Sequence, residues 1–295
     1  MKRCIDSVFE STYKNFKIFV VDNSTTSKCH EYITLGNVDA SYIKMPSNMG
    51  FSVANNVGVK QATKANTDYV LLLNQDAVLS ATCLQELVCC AQEEKNVGLV
   101  TGKIYTYEDK SVLWYAGGYV SWWMAVGKAY GAGKKDTGAF SVRKPVTYAT
   151  GCCVLIPNEA FYEAGQLSEN LFMYYEDLKF CFQLTKKKYR LYYEPKAILY
   201  HEAGERFGLN AKPAYYLYFS VRNRALILKP SFYKGYVRLL SVVIAVVKIF
   251  QYTCYSNVTE RKSKIKSLIM GIIDSYSKTE KVKQRFPHLF NVTKE

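Results

Sequence analysis

The sequence is poor in the groups that build disulfide or zinc scaffolds. Its 295 residues contain three histidines and nine cysteines, an odd number, and no two cysteines form a Cys-x-x-Cys pair. No secretory leader is recognisable. A disulfide framework or a cysteine-based zinc site is therefore not expected, and a reducing cytosol fits the chain best.

Charged residues are also scarce, at 22%, whereas hydrophobic residues make up 49%. This balance rules out a disordered or low-complexity chain, and the length suits one large domain or one domain with an appendage. The mean hydropathy of -0.12 excludes a protein with many membrane spans.

Acidic residues are missing from one long stretch, between Glu205 and Glu260. Residues 1–205 hold 22 basic and 21 acidic side chains, whereas residues 206–295 hold 17 basic and 4 acidic ones, a net charge of +13. Such a split favours an anionic partner, and the Tyr, Leu, Val and Ile residues of the basic stretch favour a membrane interface over a solvated tail. Nucleic acid is not expected, because no recognition-helix, zinc-finger or RNP pattern is present.

Apolar runs and helical patterns alternate through the first 200 residues. Because the apolar runs are continuous, we predict an α/β fold with a mostly parallel sheet covered on both faces. Ligands of such sheets bind at the carboxyl ends of the strands, where Asp22 and Asp76 fall. Each aspartate alone is equally well a turn former or a helix cap. Two at equivalent positions favour a functional role.

Three further places in the sequence carry candidate functional residues. The long segment 106–145 is rich in Gly, Trp and Tyr, and its Trp122 and Trp123 can stack on sugar rings or pack in the core. Glu176 and Asp177 open a helix, where carboxylates ordinarily act as caps or dipole partners. His201 ends a predicted strand, and is either structural or a metal ligand.

Several segments, in this order, resemble glycosyltransferase family 2 and in particular its rhamnosyltransferase-like branch. The likeness runs from residue 1 to about residue 229, and each segment is moderately specific. The segments are VVDN at 20–23, NMGFSVANNVG at 48–58, YVLLLNQD at 69–76, GCCVLI at 151–156, FMYYED at 172–177 and YEPKAILYH at 193–201. Tyr215, Tyr216 and the Arg-Asn-Arg run at 222–224 are similar to the family's C-terminal signature.

The resemblance implies a GT-A fold, a nucleoside-diphosphate sugar donor, a divalent Mn²⁺ or Mg²⁺ and inversion at the sugar carbon. It also implies roles for particular residues. The implied catalytic base is Asp177, with Glu176 as a supporting carboxylate, and the implied metal ligands are Asp76 and His201. The implied donor-nucleotide residues are Asp22, Asn48, Gly50, Asn55, Asn74 and Asp76, and the implied acceptor residues are Trp122, Trp123, Tyr174 and Tyr175.

The sequence departs from the family pattern in two places. The family's metal-binding Asp-x-Asp element is Asn74-Gln75-Asp76 here, which leaves one acidic ligand. The family's first strand, which forms the sheet centre, is expected to be absent, because residues 1–7 already resemble the helix that follows it. Either the true start lies upstream or this is a truncated product with an exposed apolar strand edge.

The C-terminal third contains an apolar run at 239–247, bracketed by Arg238 and Lys248. Since this run is shorter than the ~20 residues that span a bilayer, we expect an interfacial helix or a buried hairpin helix. The predicted domains are a catalytic domain over 1–205 and a basic helical region over 206–295, which associates with a membrane or packs on the sheet.

These features predict an inverting glycosyltransferase bound peripherally to the cytoplasmic face of a bacterial inner membrane. Its predicted donor sugar is rhamnose, and its predicted acceptor is a polyprenyl-linked glycan of a surface polysaccharide. The alternative is a non-catalytic, truncated remnant that binds a membrane or partner proteins.

Overall fold

The computed structural model of the chain describes residues 1–24, 26, 28–35, 38–202, 212–227, 233–255, 260–275 and 286. The predicted domain boundary at 205/206 lies outside the described residues. All the strands described end by His201, and the described elements from Ala214 onward are helices. The division into two domains therefore remains a prediction, although it falls where the strands give way to helices.

The helices of the first 200 residues each bury part of their surface. α3 starts directly after Gly50, and α6 starts at the predicted Glu176. The set is α1 (Lys2–Phe9), α2 (Lys28–His30) with a π-helical turn (Glu31–Leu35), α3 (Phe51–Lys64), α4 (Cys83–Glu93), α5 (Asn158–Glu163), a 3-10 turn (Glu169–Leu171) and α6 (Glu176–Lys186).

A seven-stranded sheet forms the centre of the molecule. Its order is β3-β10-β5-β11-β4, with β6 added beside β5 and β9 beside β11. Two smaller pairs, β1 with β2 and β7 with β8, lie outside it. The strands are β1 (Phe19–Asp22), β2 (Ser41–Lys44), β3 (Tyr69–Leu73), β4 (Ala77–Leu79), β5 (Val97–Thr106), β6 (Leu113–Tyr115), β7 (Gly118–Ser121), β8 (Val126–Ala129), β9 (Lys144–Val146), β10 (Cys153–Pro157) and β11 (Arg190–His201).

The α/β fold class is confirmed, but the expectation of a mostly parallel sheet is wrong. Within the seven-stranded sheet only β5 and β11 run parallel, whereas β10 runs antiparallel to both β3 and β5. The continuous apolar runs indicated burial on both faces, and burial carries no information about strand direction. The chain enters β10 from the long segment that follows β5, and this connection reverses its direction.

α1 is the first element of the chain, as expected from the resemblance. β1 and β2 form their own parallel pair, and no hydrogen-bonded ladder joins them to the seven-stranded sheet among the described residues. Val20 and Val21 of β1 are accordingly only half-buried. α3 packs against β1 and β3 and so connects the small pair to the large sheet.

The core lies around β5, β10 and β11. The first eight residues of β5 are all buried, and α4 packs on both β5 and β11. Val100, Leu155 and Leu199 have exposures of 0, 2 and 0%. Each such side chain contributes roughly 1.5–3 kcal/mol by leaving water, so this core holds the sheet edge in place.

The C-terminal helices are α7 (Ala214–Leu226), α8 (Tyr233–Cys254) and α9 (Arg261–Asp274), which pack on one another. α8 contains a 20-residue window, Gly235–Cys254, that is long and apolar enough to cross a membrane by length and composition alone. The expectation from the apolar run at 239–247 therefore underestimated the length of the apolar helix, because the helix continues through Arg238 and Lys248 instead of ending at them.

Candidate active site

Asp76 and His201 meet at one edge of the central sheet. β3 ends at Leu73, a turn closed by the Ala77 N–H on the Asn74 carbonyl follows, and β4 then pairs with the end of β11. In that register Ala77 lies opposite His201. Asp76 Oδ1 lies 3.1 Å from His201 Nε2 as a result.

This pair combines an accessible carboxylate with a buried imidazole. The Asp76 side chain is 42% exposed, whereas that of His201 is 9% exposed and lies edge-on to the Trp114 ring at 4.5 Å. Burial raises the pKa of Asp76, but the hydrogen bond and charge of His201 outweigh it, so the pKa lies below its ordinary value. The carboxylate is therefore ionised at neutral pH.

Asp177 lies in the first turn of α6, where several groups donate hydrogen bonds to its carboxylate. Tyr148 Oη donates to Oδ2 at 2.8 Å, the Gly151 N–H donates to Oδ2 at 3.4 Å, and the Leu178 N–H donates to Oδ1 at 2.7 Å. Donors that converge on a carboxylate fix its orientation and stabilise its ionised form. The sequence predicted Asp177 but gave no sign of Tyr148.

Glu176 and Asp177 are adjacent carboxylates in a poorly hydrated place. Burial and the charge of Asp177 raise the pKa of Glu176 to about 8. Burial also raises the pKa of Asp177, against the hydrogen bonds from Tyr148, Leu178 and Gly151. Since those donors favour ionised Asp177, Glu176 is the member of the pair that keeps its proton at neutral pH.

A short turn connects the two carboxylate centres. Gly151 donates to Asp177, and the carbonyl of the next residue, Cys152, accepts the Asn74 N–H at 2.9 Å. Cys153 then opens β10 opposite the last residue of β3. Asp76 and Asp177 therefore both belong to the edge of the sheet where β3 ends and β10 begins.

The loop that leads into α6 has unusual backbone angles and is fixed by α7. Phe172, Tyr174 and Tyr175 have φ values of 66°, 67° and 71°, in the left-handed region that non-glycine residues seldom adopt. Asn223 of α7 is fully buried, and its Nδ2 lies 2.9, 2.8 and 2.9 Å from the carbonyl oxygens of residues 171, 173 and 174. Arg224 Nε donates to Tyr175 Oη at 3.1 Å. Since left-handed residues cost about 1–3 kcal/mol each, these bonds hold the loop in its shape.

Asp22 ends β1 as predicted, but its carboxylate is occupied by neighbouring groups. Oδ2 accepts from Tyr42 Oη at 2.6 Å and Lys44 Nζ at 2.9 Å, and Oδ1 accepts from the Ser24 N–H at 2.9 Å. Burial raises the pKa of Asp22, but the hydrogen bonds lower it by more, so its pKa lies below the ordinary value. A nucleoside would have to replace one of these partners, and its contact with Asp22 remains a prediction.

The predicted donor residues Asn48 and Gly50 lie in one turn, which Asn23 contacts. Asn48 Oδ1 accepts from Asn23 Nδ2 at 2.9 Å and from the Gly50 N–H at 3.0 Å. Gly50 has φ +87°, and a Cβ there would lie 2.4 Å from the Phe172 carbonyl oxygen. This turn thus packs directly against the loop before Asp177. Asn55 lies apart from it on α3, where its Nδ2 donates to the Phe51 carbonyl.

The predicted acceptor residues lie in two places. Trp122 and Trp123 are 60% and 64% exposed between β7 and β8, and Trp122 stacks on Phe182 of α6 at 5.0 Å. Tyr174 packs edge-on against Tyr216 at 4.8 Å, and Tyr175 is held by Arg224. Burial of the tryptophans in the core is therefore wrong, whereas a role in acceptor binding stays a prediction for each aromatic residue.

Asp76 and His201 offer two of the ligands that a divalent ion at the sheet edge would need. Among the described residues, no group of three His, Cys, Asp or Glu side chains could hold a metal ion. Asp76 Oδ1 and His201 Nε2, however, are 3.1 Å apart, close to the about 3.0 Å between neighbouring ligands of an octahedral Mg²⁺. Mg²⁺ and Mn²⁺ accept such a pair when phosphate oxygens and water complete the shell.

Comparisons with known proteins agree with this architecture. Residues 1–165 match the family described as glycosyl transferase family 2. The chain is 25% identical over 230 residues to the low-salt glycan biosynthesis hexosyltransferase Agl10 of Haloferax volcanii, covering 77% of this chain and 72% of that protein. It is 23% identical over 276 residues to the dTDP-rhamnosyl transferase RfbF of Shigella flexneri, covering 90% of this chain and 87% of that protein.

One solved structure shares the fold. The crystal structure of GalNAc-T7 with UDP, GalNAc and Mn²⁺ superposes with a TM-score of 0.58 and 15% sequence identity. The match covers 96% of this chain and 55% of that one, so this chain spans about half of its length. At this identity the likeness supports the fold alone, and it agrees with the expected GT-A fold.

Proposed function

The chain belongs to glycosyl transferase family 2, and from this premise we propose that it transfers a hexose from a nucleoside-diphosphate donor to a glycan hydroxyl, with inversion. The observation that carries the proposal is the meeting of two groups at one sheet edge. Asp177 is oriented there by Tyr148 and Gly151, and Asp76 pairs there with His201. Rhamnose is the favoured sugar, because a relative that aligns with 90% of the chain is named a dTDP-rhamnosyl transferase.

Asp177 is the proposed catalytic base. As the acceptor oxygen bonds to the anomeric carbon, the hydroxyl proton moves to an Asp177 carboxylate oxygen. The bond between that carbon and the diphosphate oxygen breaks with its electron pair, and the nucleoside diphosphate leaves. A pKa raised by burial makes Asp177 a stronger base than an exposed aspartate, and protonated Glu176 adds no second negative charge.

Asp76 and His201 are the residues that would hold Mn²⁺ or Mg²⁺. When bound there, the ion would offset the negative charge that develops on the departing diphosphate. The contribution of the chain is to keep Asp76 ionised and accessible beside the buried imidazole.

The turn that contains Asn48 and Gly50, with the contacting Asn23, is proposed to bind the donor nucleotide. Asp22, Asn55 and Asn74 are proposed to contribute to the same binding. The Phe51 N–H, next to Gly50, donates to the Phe172 carbonyl at 2.8 Å, so the turn contacts the loop that precedes Asp177. Donor binding at the turn would therefore act directly on the loop that precedes Asp177.

The proposed acceptor is a polyprenyl-linked glycan at the cytoplasmic face of a bacterial inner membrane. Trp122 and Trp123 are exposed between β7 and β8, and Trp122 stacks on Phe182 of α6, the helix whose first turn carries Asp177. We therefore propose that both rings stack on acceptor sugars. Tyr174 and Tyr175 belong to the loop before Asp177 and are proposed to shape the same acceptor site.

The test is a transfer assay with a panel of nucleoside-diphosphate sugars and a lipid-linked acceptor, with the product anomer determined by NMR. Asp177→Asn is expected to lower transfer by about 10²–10⁴-fold, because the base is removed while the side-chain shape is kept. The matched control is Asp68→Asn, an exposed aspartate at the opposite end of β3, which should retain full activity. A wild-type transfer rate in Asp177→Asn would reject Asp177 as the base. A product that keeps the anomeric configuration of the donor would reject direct displacement.

A second candidate, a non-catalytic protein that binds a membrane or partners, is motivated by the separation of β1 and β2 from the main sheet. Calorimetry with a nucleoside diphosphate and Mn²⁺ separates the two functions. Binding in the micromolar range supports the enzyme, and its absence supports the second candidate.

A further inference from the structure

Helix α8 exposes a stripe of apolar side chains. Leu239 and Phe250 are 64% and 68% exposed. At the spacing of an α-helix the exposed residues lie on one side, and they continue over most of the helix. The stripe, called the α8 face here, consists of Tyr236, Leu239, Val243, Val246, Val247 and Phe250.

The opposite side of α8 is covered by the protein. Val237, Ser241, Ala245 and Tyr252 are buried at 1, 2, 0 and 3%, and Ala245 and Tyr252 pack in one cluster with residues of α7 and α9. The helix is therefore held in the fold by packing on its buried side, and the α8 face makes no comparable contribution to that packing. Contiguous exposed apolar side chains, such as those of the α8 face, mark interaction surfaces.

The charges around the α8 face indicate the nature of its partner. Across the described residues from 212 to 275, the acidic side chains are Glu260 and Asp274, and Asp274 is fully buried. Of the basic side chains on α8 and α9, Lys262 and Lys266 are exposed, and Arg238, Lys248 and Arg261 are half-buried. An apolar stripe on helices with an excess of positive charge complements a surface with an apolar interior and anionic head groups.

Exposed tryptophans extend this surface beyond α8. Tyr236 Oη donates to the Trp123 carbonyl at 3.1 Å, so the tip between β7 and β8 lies against the start of the α8 face. Trp122 and Trp123 are both mostly exposed. Tryptophan is enriched at membrane–water interfaces, where an apolar ring and a polar N–H are both satisfied.

We infer that the α8 face and the tip with Trp122 and Trp123 form a docking surface that lies in the interface of an anionic lipid bilayer, with α8 parallel to the membrane plane. A spanning α8 would have to give up its packing on α7 and α9 and would place Lys248 in the hydrocarbon core, at a high cost. Only 22% of the 18-residue apolar window within Gly235–Cys254 is buried, whereas a core helix would be mostly buried.

The docking surface is one helix away from the catalytic loop. α8 packs on α7, and α7 holds the loop before Glu176 through Asn223. A bilayer bound at α8 would thus carry lipid-linked acceptors close to Asp177. The inference rests on the proposed membrane placement, and its test measures lipid binding alone, so that it and sugar transfer can fail independently.

The experiment is co-sedimentation of the full chain with phosphatidylcholine vesicles, with and without phosphatidylglycerol. We expect binding to the anionic vesicles, and the triple variant Leu239→Gln/Val246→Gln/Phe250→Gln should weaken it by about tenfold or more, since lost apolar burial weakens interfacial binding. The single variants Val246→Gln and Val142→Gln form a matched pair, because Val142 is 73% exposed but lies on the catalytic part. Only Val246→Gln should weaken binding.

Circular dichroism and thermal unfolding of the triple variant verify that it is folded, and quenching of tryptophan fluorescence by brominated lipid reports on Trp122 and Trp123. Vesicle binding that the triple variant retains in full, or no binding by the wild type, overturns the inference. A wild type that is dimeric in solution, with a triple variant that is monomeric, also overturns it, because a second copy would then cover the α8 face. Resistance of bound protein to alkaline carbonate would show a spanning helix and would equally overturn it.

Discussion

At the edge of the central sheet, the carboxylates of Glu176 and Asp177 lie in a dry environment, whereas on α8 a stripe of Leu, Val and Phe side chains lies in water. Burying carboxylates and exposing apolar area are both unfavourable. The two regions therefore depart from the ordinary pattern of burial in opposite directions. A fold has no need of either departure, which is why we assign chemistry to the first region and attachment to the second.

The largest expected effect separates the two regions. Asp76→Asn should lower transfer by about 100-fold or more, because the accessible charge beside His201 is lost, and should weaken Mn²⁺ affinity measured by calorimetry. Vesicle binding should be unchanged. The α8 triple variant should show the reverse, with wild-type transfer to a soluble acceptor. A fall in lipid binding by Asp76→Asn would break the comparison.

The next effect concerns α7, which joins the regions. Asn223→Ala leaves buried carbonyl groups of the loop without their donor, and should cost about 2 kcal/mol of unfolding free energy and at least about tenfold in kcat. Asn56→Ala is the matched control, because its buried amide donates to the Leu167 carbonyl at 2.9 Å and not to the loop carbonyls that Asn223 binds. It should lose similar stability but little activity. Equal kcat losses in both variants would remove the special role of Asn223.

A further effect concerns the proton on Glu176. Because its folded pKa of about 8 exceeds the unfolded value of 4.5, its contribution to stability is full below pH 4.5 and is lost as the pH rises through 8. Glu176→Gln removes this loss. Denaturant unfolding measures the free energy of unfolding of both proteins. Relative to wild type, that of the variant should rise by on the order of 2 kcal/mol when the pH is raised from 5 to 8.5. A constant difference between the two proteins would show that Glu176 is ionised throughout.

The smallest effect sharpens the description of the base. Tyr148→Phe removes a donor to Asp177, which raises the pKa of Asp177, so the acid limb of kcat/KM should move to higher pH by up to about one unit. Tyr193→Phe is the control, since this buried phenol donates to the Phe140 carbonyl instead. Its profile should match that of the wild type.

The sequence predicted the sheet-edge residues better than their surroundings. The positions of Asp76, Asp177 and His201 at strand or helix ends agree with the sequence pattern, whereas their roles come from the family resemblance and stay predictions. Tyr148 carried no signal, because a single tyrosine in an apolar stretch has many equivalent interpretations. The three bonds from Asn223 depend on how α7 packs, which is a tertiary property that local pattern does not contain.

The sheet and α8 show the same limit from another direction. An apolar run reports how much of a strand is buried and not which way the strand runs, so the antiparallel β10 was missed. The apolar run at 239–247 left an interfacial helix and a buried hairpin helix open. The packing of Ala245 and Tyr252, with Leu239 and Phe250 exposed, shows that α8 is not a fully buried helix, and its place at a membrane interface stays a proposal.

The most direct measurement is the pH dependence of kcat/KM for wild type and Asp177→Asn under saturating Mn²⁺. A base at Asp177 predicts that the wild-type rate falls as the pH drops through the raised pKa of that carboxyl, and that the residual rate of the variant lacks this limb. An unchanged acid limb in the variant, or an undiminished rate, would place proton removal elsewhere and contradict the account.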